Sequence, residues 1–412
     1  MLFQFIIAII LGLIAGTITG LIPGIHINLL AIMLVSISHF LLKHTTPLIL
    51  IIFITSMAIT HTFLDFIPSI FLGAPDEDSF LSVLPGHQLL LNGRGYFAVV
   101  FTLYGSLTAL LIILIFAPSF IYLLPIIYPY IQKIMWIILI LISVYLISSE
   151  KDKKLLALII FLLAGFLGIA ALNLNIREPL LPLLTGLFGA SNLVLSIQQK
   201  TKIPKQKTLP LKNIKLSKKS IFKSSLASLI ASPFTAFLPG LGASQAALIG
   251  KQFLGFKENI TDQREFLFLL GSINTIVMGL SFIALYSIQK TRTGAAVAVS
   301  RLLPELTLSN LLIILAAIIL AGAASFIIAV QISKLAAKNI HKIQYSKLSL
   351  IILSTLLIII LIFSDFTLIG KILALLTFIT STFLGIFTIL TGVKRMHLMG
   401  CLLVPTILFY LL

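Results

Sequence analysis

Two short stretches of this sequence combine helix breakers with groups that can hold an anion. GLIPGIHINLL begins at Gly20 and carries Pro23, Gly24, His26 and Asn28. AFLPGLGASQAAL begins at Ala236 and carries Pro239, Gly240, Gly242, Ser244 and Gln245. Both stretches lie inside long apolar runs. Proline lacks an amide N–H and glycine accepts conformations that other residues resist, so each pair can end one half-helix and let another begin. Asn28 and Ser244 are residue types that cap helix N-termini, and the free N–H groups of such termini attract anions. Gly24, His26, Asn28, Gly240, Gly242, Ser244 and Gln245 are therefore candidate substrate-binding residues. His26 has three roles open to it: binding a carboxylate, carrying a coupling proton, or hydrogen-bonding a carbonyl within the hairpin. A simple kink is the bland alternative for either stretch alone, and the occurrence of two in register argues against it.

A second constellation runs from His61 to Phe97. His61 and Asp65 stand four residues apart, which on a helix puts them on one face. Asp65 is an acid embedded in an apolar run, where a charge is costly and is usually placed for function. His61 and Asp65 are thus candidates for an ion or proton site. The chain then breaks at GAPDEDS, passes LPGHQLL and turns at Asn92-Gly93-Arg94-Gly95. Asp76 or Asp78 can equally be read as caps of a broken helix.

The elements that must position these groups are membrane helices. The chain is 59% hydrophobic and 10% charged, against about 25% charged in soluble domains. Several apolar runs exceed the roughly 18 residues that read as a spanning helix. The N-terminus has no basic n-region or small-residue cleavage site, so a removed signal peptide is not expected. The single Cys401 excludes an internal disulfide and does not suggest a thiolate metal site. A formal charge of +17 could suggest nucleic acid, but the basic residues fall in short loops without aromatic interleaving. They read as positive-inside topology signals. The densest run, Lys200 to Lys223, holds nine lysines and no acid.

Matching the two Pro-Gly stretches aligns Gly16 and Gly20 with Ser232 and Ala236, an offset of 216, while Asn274 falls opposite His61 at 213. Asn274 joins the candidate site on that basis. Weak similarity at half the chain length is how transporter repeats look in sequence. The expected architecture is an all-α polytopic membrane protein of two inverted-topology repeats. Each repeat has a re-entrant Pro-Gly helix pair, with about ten crossings in all. These fall near 47–72, 96–118, 130–149, 155–172 and 179–199, then 264–289, 306–333, 348–363, 366–390 and 398–412. Residues 1–199 form the first repeat, 200–220 a basic cytoplasmic linker and 221–412 the second repeat. This arrangement puts Lys151 to Lys154, Lys334 to Lys347, and Lys394 with Arg395 on the linker's side of the membrane. Pro125 and Pro129 leave the boundary between the second and third crossings open.

The paired segments GLIPGIHINLLAI and FLPGLGASQAALI, with PSIFLGAPDEDSFLSVLPGHQLLLNGRGYFAV, resemble the large membrane subunit of the tripartite tricarboxylate transporter family. The family favours small residues where His26 and Asn28 stand. The resemblance implies secondary transport of small carboxylates driven by a proton or sodium gradient. It also implies a small membrane subunit and an extracytoplasmic binding protein as partners. No organic cofactor is called for, the coupling ion being Na+ or H+, and a homodimer is compatible with the sequence. The nearest rival is a polyprenyl phosphate translocase, for which Arg94, Lys251 and Arg292 would be headgroup candidates. An enzyme is disfavoured by the lack of H-E-x-x-H and G-x-S-x-G motifs.

Overall fold

The structure is a computed structural model. It describes residues 2–22, 38–73, 83–150, 152–198, 203–237, 242–243, 246–247, 250–251, 260–291, 293–342 and 344–411. Both Pro-Gly pairs, His26, Asn28, Gly24, Gly240, Ser244, Gln245, Asp76 and Asp78 lie outside the described residues.

Among the described residues the chain is helical, without strands. The first half contains α1 (Leu2–Leu21), α2 (Pro47–Leu64), α3 (Phe66–Leu72), α4 (Val83–Leu91), α5 (Gly95–Lys133), α6 (Met135–Ser148) and α7 (Lys154–Asn173). Its last element, α8, runs from Leu180–Leu184 through a π-helical stretch, Thr185–Ala190, into Ser191–Gln198. The second half contains α9 (Lys218–Phe237), α10 (Ile260–Ile288), α11 (Gly294–Leu302), α12 (Leu308–Asn339), α13 (Tyr345–Phe363) and α14 (Leu368–Leu390). A short turn, Arg395–Met399, leads into α15 (Gly400–Leu411).

Among the described residues, eight helices are long and apolar enough to cross a membrane, so the protein is a multi-pass membrane protein. They comprise α1 and seven of the ten expected crossings. The segments expected at 130–149, 179–199 and 398–412 form shorter helices. α6, with 14 residues, is about 21 Å long at 1.5 Å per residue, against a hydrocarbon core of about 30 Å. The shortfall follows from the prolines. α5 continues through Pro118, Pro125 and Pro129 for 39 residues, prolines being tolerated in membrane helices where neighbouring groups re-satisfy the freed backbone. The break comes at Ile134 instead.

Two helices sit at the centre. The spanning window of α10 is 94% buried and that of the α2–α3 pair 72%, against 22% for α1. Glycines bring α1 onto α2: a Cβ at Gly12 would lie 2.7 Å from the Phe53 carbonyl oxygen, at Gly16 2.5 Å from that of Met57, and at Gly20 3.2 Å from that of His61. The contacts advance in step, so α1 and α2 run parallel. Small residues at four-residue spacing let helix backbones approach in this way.

Each central helix is also packed by a long helix of the other half. Ser325 on α12 donates to Thr60 on α2 at 2.9 Å, and Ser106 on α5 donates to the Gly271 carbonyl on α10 at 3.1 Å. α5 and α10 run parallel, with Arg264 over the Phe101 ring and Gly279 against Ile113. α12 runs parallel to α2 and α3, since the pairs Thr60–Ser325 and Leu72–Asn339 lie at successive levels. α5 and α12 are antiparallel, with Tyr104 stacked on Phe326 and Leu110 against Gly322. It follows that α2 and α10 run in opposite senses.

The outer helices repeat one another's contacts. Gly400 packs on the Phe161 carbonyl and Gly168 on that of Cys401. Gly186 packs on the Phe378 carbonyl and Gly385 on that of Leu187. Acids tie the corners similarly: Glu150 accepts from the Lys394 amide at 3.4 Å and Asp365 from the Arg177 amide at 3.1 Å. Glu150 also meets His397 at 3.0 Å. Arg395, read from sequence as a loop charge, turns inward. Its guanidinium donates to the Leu187 and Phe188 carbonyls, in the π-helical stretch where the helical bonding pattern is altered.

The segment 203–217 is a fitted strap over the α4–α5 turn. Gln206 accepts from the Gly95 amide at 2.8 Å and donates to the Leu90 carbonyl at 3.0 Å. The Lys207 amide donates to the Gly93 carbonyl at 2.8 Å, and Tyr104 donates to the Leu211 carbonyl at 3.0 Å. Gly93 has φ +70, and a Cβ there would meet the Lys205 carbonyl at 3.0 Å. Gln206→Ala removes both hydrogen bonds to the turn, and one to the Pro204 carbonyl within the strap, worth about 1 kcal/mol each. Limited trypsin digestion is expected to cut the lysine-rich strap faster in Gln206→Ala than in the wild type, and unchanged cleavage would mean that the strap is not held by these contacts.

Candidate functional site

The polar groups of the two central helices converge where α2 meets α10. Buried Thr55, Ser56, Thr60, His61, Thr62, Asp65 and Ser69 come from α2 and α3, and buried Ser272, Asn274, Thr275 and Ser281 from α10. Buried polar side chains in a membrane bundle need partners inside the protein. Thr62 Oγ1 and Thr275 Oγ1 lie 3.2 Å apart, and Asn274 Nδ2 donates to Asp65 Oδ2 at 2.9 Å.

Asp65 occupies the junction of α2 and α3. Its amide still bonds the His61 carbonyl at 3.0 Å, but Pro68 cannot donate to Leu64, and a proline in that position kinks a helix. The two side chains find different partners. His61 Nδ1 meets Thr19 Oγ1 on α1 at 3.1 Å, whereas Asp65 meets α10. The i, i+4 spacing holds along the chain, but the two side chains serve different neighbours. Both residues are nearly inaccessible, at 4% and 3% exposure.

Asn274 therefore lies beside Asp65, as one candidate next to another. Of the candidate site residues in the two Pro-Gly stretches, Gly242 is the one that is described. α9 ends at Phe237, helical structure resumes at Ala243, and the Gly242 carbonyl accepts from the Ala246 amide at 3.2 Å. α1 ends at Leu21, with Gly20 against Leu64 and Asp65, so the first Pro-Gly stretch begins at the level of Asp65.

Sequence reasoning missed Thr19, Thr62, Thr275 and Ser325. The signal for one pair was present: the offset of 213 that sets His61 opposite Asn274 also sets Thr62 opposite Thr275, as the dipeptides His-Thr and Asn-Thr. The Gly12-Gly16-Gly20 spacing was equally legible.

The protein family described as Tripartite tricarboxylate transporter TctA matches residues 6–400. The uncharacterized protein MJ1079 of Methanocaldococcus jannaschii is 29% identical over 416 residues, covering 98% of this chain and 99% of that protein. No solved structure matches the chain. With a match running from the first turns of α1 to the start of α15, the chain belongs to the tripartite tricarboxylate transporter TctA family.

Proposed function

We propose that the protein is an ion-coupled secondary transporter of small organic anions, of the di- or tricarboxylate kind, working by alternating access. The observation that carries this reading is the meeting of α2 and α10, where Thr62 faces Thr275 and Asp65 faces Asn274. Residues at equivalent places in two repeats touch each other only near the axis that relates the repeats, as in an isologous contact. The opposite senses of α2 and α10, and the repeated glycine contacts of the outer helices, support an inverted relation with its axis in the membrane plane. In this reading the substrate anion sits between the two Pro-Gly breaks. Backbone N–H groups hold it together with His26, Asn28, Ser244, Gln245 and Asn274, and Gly24, Gly240 and Gly242 permit close approach. Asp65 and His61 take part in coupling to Na+ or H+. The family's tripartite character supports a small membrane subunit and an extracytoplasmic binding protein as partners.

The test is uptake of labelled di- and tricarboxylates into proteoliposomes under an imposed sodium or proton gradient, alongside thermal stabilisation by the same compounds. Gradient-dependent uptake of a carboxylate is expected. Stabilisation by a polyprenyl phosphate, with no response to any carboxylate, would replace this reading with a lipid-carrier translocase.

The contact of the halves has its own test. Thr62→Cys with Thr275→Cys, in a Cys401→Ala chain carrying an engineered protease site in the linker, is expected to cross-link on mild oxidation. The cut halves then stay joined until reduced, and transport stops while the link is present. Halves that separate under oxidising conditions would rule this contact out.

A further inference from the structure

A cleft of about 230 Å³ lies where the ends of α1 and α3 approach α12 and α13. Leu21, Phe71, Leu72, Ile332 and Leu348 are among its apolar walls, and Asn339 is its one side-chain amide. Lys342 Nζ donates to Asn339 Oδ1 at 3.2 Å, which brings an ammonium to the mouth of the cleft. Lys334, Lys338, Lys342 and Lys347 are exposed, and the run from Lys334 to Leu348 contains no acid. A helix C-terminus favours a cation in its last turn, which accounts for Lys338 and for Lys342 in the 3-10 turn Ile340–Lys342 that extends α12, but not for Lys347 beyond it.

An apolar slot beside a lysine run that contains no acid is complementary to one class of molecule in a bilayer, a lipid with an anionic headgroup. We propose that the cleft binds an acyl chain of an anionic phospholipid, with the lipid phosphate held by Lys342 and Lys338. The site is separate from the meeting of α2 and α10 but touches its supports. Leu21 closes α1 two residues before Pro23, and α3 follows directly from Asp65. A bound chain would brace both ends against α12.

The experiment titrates the purified full-length protein with phosphatidylglycerol, phosphatidylcholine or inorganic phosphate, reading lipid retention by native mass spectrometry and the unfolding temperature. Phosphatidylglycerol is expected to be retained and to raise the unfolding temperature, while phosphatidylcholine and inorganic phosphate do neither. Lys338→Gln with Lys342→Gln, both exposed, is expected to weaken phosphatidylglycerol binding by about 30-fold, given roughly tenfold or less for each lost cation. Ala336→Phe fills the slot and is expected to abolish retention. Equal phosphatidylglycerol binding by the lysine double variant would overturn the proposal, even if the Ala336→Phe protein cannot be produced. An effect reproduced by inorganic phosphate would reduce the site to a free-anion site and overturn it too.

Discussion

Asp65→Asn is expected to abolish gradient-driven uptake while the protein remains folded. Asparagine is close to isosteric with aspartate and keeps an oxygen that can accept from Asn274, so the 2.9 Å hydrogen bond between the two helices can survive. What disappears is the carboxylate, whose charge is costly at membrane depth and is usually placed there for function. Proteoliposomes should show background uptake with the variant, and its unfolding temperature should stay near that of the wild type. Full coupled uptake by Asp65→Asn would remove Asp65 from the mechanism. Asn274→Ala tests the other partner. It withdraws a hydrogen bond to a buried acid, worth about 1.5–3 kcal/mol when the acceptor is charged, so both stability and uptake should fall.

The second large effect is expected at Gly16. A Cβ there would lie 2.5 Å from the Met57 carbonyl oxygen and 2.5 Å from Thr60 Cβ. Backbone on the facing helix cannot yield as the end of a long side chain can, so α1 must move away from α2. Overpacking typically costs about 1–3 kcal/mol, and displacement of α1 would add the loss of its contacts at Gly12 and Gly20. Gly16→Leu should therefore lower the unfolding temperature sharply and eliminate uptake, because α1 leads directly into the first Pro-Gly stretch. Gly189→Ala is the control: its Cβ would meet nothing closer than 3.9 Å, and the change should stay within about 0.5 kcal/mol. If Gly16→Leu were as well tolerated as Gly189→Ala, the close approach of α1 and α2 would be wrong.

Much of the architecture was legible in the residues. Long apolar runs can only be helices in lipid, because every backbone polar group there must be satisfied within the protein. Asp65 stood out for the same reason, being a polar group where polarity is expensive, and Asn274 through its place opposite His61 in the repeat. The helix lengths were less legible, since prolines that interrupt a sequence pattern can sit in a continuous helix, as Pro118, Pro125 and Pro129 do in α5. The basic run read as a linker carries no pattern announcing that Gln206 and Lys207 grip the α4–α5 turn. The lysines of 334–347 read as topology signals, and nothing in their spacing announced an apolar cleft beside them.

The sequence by itself determined that this is a membrane protein of helices, which breakers interrupt them, and which rare polar residues must find partners. Those conclusions follow from local chemistry and the solvent, and need no neighbour to be known. Only the tertiary structure decided who the partners are: that Asp65 turns to Asn274 while His61 turns to Thr19, and that Thr62 meets Thr275. The pairing depends on glycines that let α1 reach α2 and on the packing of α2 against α10. These act between segments tens to hundreds of residues apart, at distances that sequence spacing does not encode.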